Sequence, residues 1–291
     1  MKIYLHCDVL YRPDKWYERF EFIFKKLNIN YKLVDLIHNS NDLVFSDYRD
    51  GDCLVGRFGH LRKDKAVIKP MYDSLSKKFK NRIFPKHNTY YYYDEKDKQI
   101  NLFKNNNYPT PKKIYLENYI TDNELKIMGY KYPLVMKKTY GAGSENISLI
   151  DSNDEISYPC ILEEFCPNND GDIRINVIGD RVMGFKRYNR PNDFRASGSG
   201  IIEYIEELPW ECCEIANQIS KENNFESMAY DFVKDSKGKW VLLEISYTYV
   251  DFTVRDCKYF YNMKTKLKEP KNNIYPQDFI IEDFLSSLKP I

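Results

Sequence analysis

Asp231 and Glu244 are the acidic residues whose positions most clearly suggest chemistry, since each ends an apolar run. The turn-forming residues 235–238 lie between the runs and predict an antiparallel hairpin with both carboxylates at the same end. Mg²⁺ prefers oxygen ligands and is usually held by one or two carboxylates together with substrate phosphates. The hairpin therefore predicts a cation site, and the alternative is a surface hairpin with two solvated acids.

Basic and glycine-bearing segments upstream predict a site for phosphate. Lys137 ends an apolar strand-like segment, where its ammonium group can project toward an anion. Gly141, Gly143 and Ser144 follow at once, and a loop of this composition can turn backbone N–H groups toward a phosphate. The alternatives are a plain turn for the loop and a solvated position for Lys96, which precedes a predicted helix.

A strand that runs into a loop contains Glu163, Glu164 and Phe165. Exposed strand-end backbone flanked by apolar groups can pair with the edge of an adenine ring. The alternative interpretation is an edge strand that carries two exposed acids.

Arginines are concentrated farther along the chain. Asp172 and Arg174 alternate on a predicted strand and therefore share one face. Three more arginines lie within nine positions, beside a Gly/Ser-rich segment that includes Ser197: Arg187, Arg190 and Arg195. Guanidinium groups bind carboxylate and phosphate in a bidentate manner, so this segment predicts an anion site. A nucleic-acid patch is the alternative, but the loop is small.

The elements that must position these residues fall into two parts. Residues 1–85 alternate strand signals at 2–5, 31–36 and 53–55 with helix signals at 15–27 and 71–79. This alternation predicts an α/β domain with a parallel sheet. Arg57 follows the third strand, at the edge where such domains bind ligands, and either holds a substrate carboxylate or lies in a solvated loop.

The second part, 86–291, begins with a tyrosine-rich segment and a predicted helix at 99–106 that stops before a pair of prolines. It is rich in strand signals, at 134–137, 160–163, 173–178 and 182–187, with helices predicted at 211–223 and 278–288. The polar segment 264–273 is predicted to be a loop.

Composition narrows the class of protein. The chain has 291 residues, of which 43% are hydrophobic and 30% charged, and its net charge is +1, which excludes the broad positive field of a general nucleic-acid binder. The 7 cysteines lack a CxxC pair and are predicted to be reduced thiols of a cytoplasmic protein. No apolar stretch approaches the roughly 20 residues needed to cross a bilayer, so no membrane partner is expected.

The order of these segments resembles the ATP-grasp superfamily of carboxylate–amine ligases, especially its RimK and glutathione-synthetase-like branch. The resemblance covers about residues 85–255 and rests on seven motifs in the family's order. They are Asp94-x-Lys96-x-x-Gln99, Pro109-x-Pro111, Lys137 with its glycine loop, Glu163-Glu164-Phe165, Asp172-Ile173-Arg174, Asp193-Phe194-Arg195-x-Ser197, and Asp231 with Glu244-Ile245-Ser246. It implies an ATP-grasp fold behind an N-terminal parallel-sheet domain, with a lid subdomain at about 109–165 and a metal-binding subdomain at about 166–291.

The resemblance also implies roles by position. Lys96 and Lys137 would contact the phosphates of ATP, and Gly141, Gly143 and Ser144 would belong to a mobile lid. The adenosine would be held by Glu163, Glu164, Phe165 and Asp172. Arg195 and Ser197 would face the phosphates and the reacting carboxylate. Arg187 would help Arg195 to stabilise the acyl-phosphate, and Arg174 is the third candidate catalytic residue. Asp231, Glu244 and Ser246 would hold Mg²⁺, with Mn²⁺ as an alternative ion, although the family usually has Asn where this chain has Ser246.

The function implied is ligation of a carboxylate to an amine at the expense of ATP, through an acyl-phosphate. Two alternatives stay open: a kinase with the same fold, and a nucleotide-binding regulatory protein with reduced turnover, which the serine at position 246 would suggest. The expected partners are ATP, a carboxylate and an amine, without nucleic acid, and the sequence leaves open whether identical subunits associate.

Overall fold

A computed structural model describes residues 1–7, 15–58, 62–139 and 146–288, with side chains at all of these positions except 62–65. No helix in these ranges is both long enough and apolar enough to cross a bilayer. The strands of the described chain form three sheets.

The N-terminal part is a four-stranded parallel sheet with helices. Its elements are β1 (Ile3–His6), α1 (Trp16–Lys26), β2 (Tyr31–Val34), α2 (Asn41–Val44), β3 (Cys53–Val55), α3 (Arg62–Phe79) and β4 (Ile83–Phe84). The strands are ordered β2-β1-β3-β4, which confirms the predicted parallel sheet. Every residue of β1 and β3 is buried, as expected for parallel strands covered on both faces.

Helix α3 is longer than predicted from the sequence, whereas α1 agrees with the prediction. Helix α3 begins at Arg62, well before the predicted start at 71, although Pro70 lies inside it. Proline removes one interior hydrogen bond, but Ile68, which is fully buried in the core, anchors the turn before it. In α1 the residues Trp16 and Phe20 are buried at the helical spacing that the sequence predicted.

The tyrosine-rich segment joins this part to the rest. It contains α4 (His87–Tyr91) and leads into α5 (Lys96–Asn105), which starts three residues before the predicted position 99. The ring of Tyr90 stacks on Tyr72 at 4.0 Å, and that of Tyr93 meets Tyr247 edge-on at 5.1 Å. The tyrosine run therefore packs between helix α3, which carries Tyr72, and the segment of the third sheet that carries Tyr247.

The second sheet is four-stranded and antiparallel. Its segment contains β5 (Lys113–Leu116), α6 (Asp122–Ile127), β6 (Leu134–Lys137), β7 (Ile147–Ile150), a 3-10 turn (Asn153–Glu155) and β8 (Cys160–Glu164). The strand order is β5-β8-β6-β7, so β8 is a central strand and β7 an edge. A small separate core that includes Leu125 and Leu162 packs on one face.

The third sheet has seven strands, each antiparallel to its neighbours. Its segment contains β9 (Gly171–Ile178), β10 (Arg181–Tyr188), β11 (Ile202–Glu203), α7 (Trp210–Glu222), β12 (Ser227–Lys234), β13 (Trp240–Ser246), α8 (Asp251–Arg255), β14 (Tyr259–Asn262), β15 (Leu267–Pro270) and α9 (Pro276–Ser287). The order is β13-β12-β9-β10-β14-β15, with β11 paired to β10.

Strand β15 of this sheet was not predicted from the sequence. The segment 264–273 was predicted to be a loop, but β15 lies within it and pairs with β14 as an edge strand. The strand has charged residues and little burial, so it lacks the apolar alternation that marks a half-buried strand. Its backbone hydrogen bonds with β14 define it instead.

Candidate functional site

A cavity of about 390 Å³ is lined by residues of both antiparallel sheets. Thirteen of the predicted site residues line it: Lys96, Lys137, Glu163, Glu164, Phe165, Asp172, Arg174, Arg187, Arg195, Ser197, Asp231, Glu244 and Ser246. Arg57 and Arg190, which were also candidates, are not among the lining residues. Gly141, Gly143 and Ser144 lie outside the described residues. Residues up to 150 positions apart in sequence thus meet in one place, as a binding site for a small molecule requires.

The predicted hairpin is present and has the expected register. Strands β12 and β13 are antiparallel, and Asp231 lies directly opposite Glu244. The two carboxylates nevertheless have different surroundings. The side chain of Asp231 is 13% exposed and that of Glu244 is 38% exposed, so Glu244 is the more accessible of the pair.

Asp231 belongs to a chain of alternating charges that runs across β10, β9 and β12. Arg174 donates from Nε and Nη2 to its two carboxylate oxygens, at 2.7 and 2.8 Å. Arg187 lies between Asp231, at 2.9 Å, and Asp172, to which it donates two bonds of 2.7 and 2.6 Å. Burial opposes ionisation, but the two guanidinium groups outweigh it and hold the pKa of Asp231 well below its usual range.

Lys96 brings the first turn of α5 to the same cavity. Its ammonium group lies 3.4 Å from Asp94 and 3.7 Å from Glu244. Burial by itself would lower the pKa of Lys96, but the two carboxylates outweigh it and raise the pKa above its ordinary value. The solvated alternative for Lys96 is wrong, because the residue is only 8% exposed.

The edge-strand interpretation of residues 163–165 is also wrong. Strand β8 is central, and Glu163 is buried, with its carboxylate 2.6 Å from Lys137 and 3.0 Å from Lys113. Glu164 is exposed, as expected for a strand end. Phe165 lines the cavity and meets Phe194 edge-on at 5.8 Å.

The arginine-rich segment closes another side of the cavity. Arg195 is held by Asp193, which accepts from its Nη2 at 2.6 Å and from its Nε at 2.9 Å. The Nη1 group of Arg195 reaches the carbonyl oxygen of Ile147 on β7, at 3.4 Å. Arg190 supports the segment from within, because its Nε donates to the Ser197 carbonyl at 3.0 Å. Both antiparallel sheets therefore contribute to the setting of Arg195.

The donor set fits a magnesium ion that keeps several waters. Glu244 offers an accessible carboxylate, whereas Asp231 already accepts three bonds from arginines, which leaves about one of its four lone-pair sites. The Ser246 hydroxyl donates to the Thr248 carbonyl at 2.7 Å, which orients its oxygen lone pairs but leaves them available. No cluster of three or more His, Cys, Asp or Glu side chains suited to a metal is found in the described part of the chain.

Arg57 does not occupy the solvated loop that was its alternative interpretation. It is 3% exposed, and its guanidinium carbon lies 5.4 Å from the centre of the Trp16 ring. The prediction that it holds a substrate carboxylate stays a prediction.

Sequence reasoning missed Lys113, which pairs with Glu163 in the second sheet. Burial lowers the pKa of Lys113 below its ordinary value, and Glu163 and Lys137 are its charged neighbours. The signal was weak: two lysines follow Pro111, and only the strand pairing decides which of them points inward. Tyr93, Asn169 and Asn189, which also line the cavity, were missed as well; they lie in turns and loops outside the strands, where periodicity gives no signal.

No family model matches the sequence, and a comparison with curated proteins finds no relative. Solved structures do match. D-alanine–D-alanine ligase from Bacillus anthracis, complexed with ATP, aligns with a TM-score of 0.62 at 15% identity, over 99% of this chain and 98% of that chain. The ATP-grasp ligase PsnB, complexed with a minimal precursor, Mg and ADP, aligns with a TM-score of 0.60 at 10% identity, over 99% and 98%.

A third similar structure is a RimK domain ATP-grasp protein from Sphaerobacter thermophilus. It aligns with a TM-score of 0.61 at 13% identity, over 98% of this chain and 100% of that chain. The alignments span nearly the full length of both chains, so the likeness includes the parallel sheet as well as the two sheets around the cavity. The chain has the ATP-grasp fold.

Proposed function

We propose that the protein is an ATP-dependent ligase that joins a carboxylate to an amine through an acyl-phosphate. The observation that carries this proposal is that residues of six of the seven motifs line one cavity between the two antiparallel sheets. Structures with the same fold include a D-alanine–D-alanine ligase complexed with ATP and a ligase complexed with Mg and ADP. These support ATP and Mg²⁺ as the ligands of this cavity.

In the proposed reaction a substrate carboxylate oxygen attacks the γ-phosphorus of ATP, and ADP leaves. The amine nitrogen then attacks the acyl carbon, phosphate leaves, and the amine loses a proton, so one amide forms for each ATP consumed. Lys96, Lys137 and Arg195 line the cavity and would neutralise the phosphoryl group during its transfer. Catalysis of this kind depends mainly on positioning and on electrostatic stabilisation.

Mg²⁺ would be held by Glu244, by the remaining lone-pair site of Asp231 and by the Ser246 oxygen. When bound, it would add positive charge beside the phosphates of the nucleotide. The cavity walls would exclude water, because Phe165, Phe194 and Val250 supply apolar surface next to the charged groups. Phe165 and the end of β8 would then lie against the adenine ring, with Asp172 near the ribose.

The amount of ADP released tests the proposal. The protein would be incubated with ATP, Mg²⁺ and a panel of amino acids, sugar acids and short peptides as candidate carboxylates and amines. A ligase releases ADP only when both substrates are present, and the amide product gains the mass of both minus water.

A kinase of the same fold is the second candidate, and it would release ADP with one acceptor alone and leave a stable phosphorylated product. A regulatory protein with reduced turnover is the third, supported by Ser246 in place of the Asn that is usual in the family. It would bind ATP in calorimetry and release no ADP under any of these conditions.

A further inference from the structure

Three charged side chains form a buried group on the second sheet: Lys113, Glu163 and Lys137. Glu163 lies on the central strand β8, directly opposite Lys113 on β5, and Lys137 lies on the other neighbour, β6. The carboxylate oxygens are 3.0 Å from the Lys113 nitrogen and 2.6 Å from the Lys137 nitrogen. One carboxylate thus bridges two ammonium groups.

The ammonium group of Lys113 has three neighbours that favour a positive charge: a carbonyl oxygen, a carboxylate and an aromatic ring. It donates to the Leu243 carbonyl at 3.0 Å, faces Glu163, and lies 5.3 Å from the centre of the Phe103 ring. The side chain is 6% exposed. These contacts hold the buried ammonium group in a fixed place between a carbonyl oxygen, a carboxylate and an aromatic ring.

Lys137 and Glu163 reach the 390 Å³ cavity, and Lys137 is the cation of the two. Its side chain is 12% exposed and lines the 390 Å³ cavity, whereas Lys113 lines a smaller cavity of about 20 Å³ that Lys137 and Glu163 share. Glu163 and Lys137 alone would make a neutral pair, with little attraction left for a phosphate. Lys113 brings the group to a net charge of +1.

We propose that Lys113 is a positioning residue for the nucleotide: by neutralising Glu163, it leaves the charge of Lys137 available to a phosphate. This inference rests on the proposed use of ATP and adds to it a residue outside the recognised motifs. The two lysines also outweigh the effect of burial and hold the pKa of Glu163 below its ordinary value, consistent with a carboxylate shared between them.

The experiment measures ADP affinity by calorimetry and stability by thermal melting for five variants of the full chain. Lys113→Met removes the buried charge. Lys112→Met is the matched control, since the side chain of this exposed neighbour donates to the Met128 carbonyl and not to Glu163. Lys113→Arg keeps the charge, Glu163→Gln removes the carboxylate, and a double variant combines Lys113→Met with Glu163→Gln.

We expect Lys113→Met to weaken ADP binding about tenfold, the order of one charge-assisted contact. Lys112→Met should bind like wild type, and Lys113→Arg should bind more tightly than Lys113→Met. In the Glu163→Gln background, Lys113→Met should cost less than about threefold, because no carboxylate remains to neutralise Lys137.

An equal loss of affinity from Lys113→Met in both backgrounds would mean a role independent of Glu163 and would overturn the inference. Wild-type affinity in Lys113→Met would do the same. If Lys113→Met does not fold, Lys113→Gln replaces it in both backgrounds, since the neutral amide keeps a hydrogen-bond donor for the Leu243 carbonyl. A wild-type protein that does not bind ADP would overturn the proposed function as well, which separates the two failures.

Discussion

Asp231 and Glu244 lie opposite each other on β12 and β13, yet only Glu244 presents an accessible carboxylate to the cavity. Asp231 is held by Arg174 and Arg187, so it joins the hairpin to the arginine-bearing strands β9 and β10. The two acids would therefore have different roles in the site. Glu244 would be the principal ligand of the cation, and Asp231 would chiefly fix the arginines.

Replacing Glu244 with Gln should remove most turnover and raise the Mg²⁺ concentration needed for half-maximal ADP release. A neutral amide oxygen binds a hard divalent cation more weakly than a carboxylate. The measurement is a Mg²⁺ titration of ADP release, with Glu214→Gln as the control, since Glu214 is an exposed acid of α7 that does not line the cavity. Unchanged Mg²⁺ dependence in Glu244→Gln would refute this assignment.

Replacing Asp231 with Asn should destabilise the fold as well as the activity. It removes the negative partner of two arginines, and breaking a buried ion pair typically costs about 3–5 kcal/mol. Urea unfolding of wild type and variant measures the loss in the free energy of unfolding. A variant as stable as wild type would show that the arginines find other partners, and Asp231 would then be primarily a metal ligand.

Replacing Arg195 with Lys should damage turnover more than ATP binding. Lysine keeps the charge but loses the planar fork, which here is aligned by a bidentate contact with Asp193. The comparison is between kcat and ATP affinity, measured on the same preparation. Should ATP affinity collapse while kcat survives, Arg195 would be a nucleotide anchor only.

Replacing Ser246 with Asn should lower the Mg²⁺ concentration needed for half-maximal activity, because an Asn carbonyl reaches farther than the serine hydroxyl. The substitution also gives up the bond from Ser246 to the Thr248 carbonyl, which spans 2.7 Å. The measurement is a Mg²⁺ titration of ADP release by wild type and by Ser246→Asn under the same conditions. A greater Mg²⁺ requirement in the variant would show that serine is an adapted ligand.

Stability should fall between pH 7 and 4.5 because of His6. The ring of His6 is buried and stacks on that of Phe58, with the ring centres 5.2 Å apart. Burial lowers the pKa of His6 to about 4. Below the unfolded pKa of about 6.5 the unfolded chain takes up a proton that the folded chain does not, so stability is lost as pH falls, by roughly 2–3 kcal/mol at pH 4.5.

The test for His6 compares urea unfolding at the two pH values. His6→Asn should lose less stability over this interval than wild type, whatever its stability at pH 7. The control is His38→Asn, since His38 is exposed and pairs with Asp35 at 2.7 Å. A slope that His6→Asn leaves unchanged would assign the acid sensitivity to other groups.

Local signals in the sequence were enough to predict the hairpin and the parallel sheet. Residues 235–238 have turn chemistry, and the two apolar runs beside them end in acids, so the register of Asp231 with Glu244 could be predicted and is confirmed. The alternation of β and α signals likewise predicted the parallel sheet. The order of motifs predicted which side chains would share a cavity, and those described do.

The pairing of those side chains, by contrast, depends on the order of strands in the folded chain and could not be predicted. Strand β8 inserts between β5 and β6, and this long-range pairing places Glu163 between Lys113 and Lys137. In the same way β9 pairs with β12, which gives Asp231 its arginine partners. The order of strands in a sheet depends on which faces bury most apolar surface together, and turn signals or periodicity in a single segment do not contain that information.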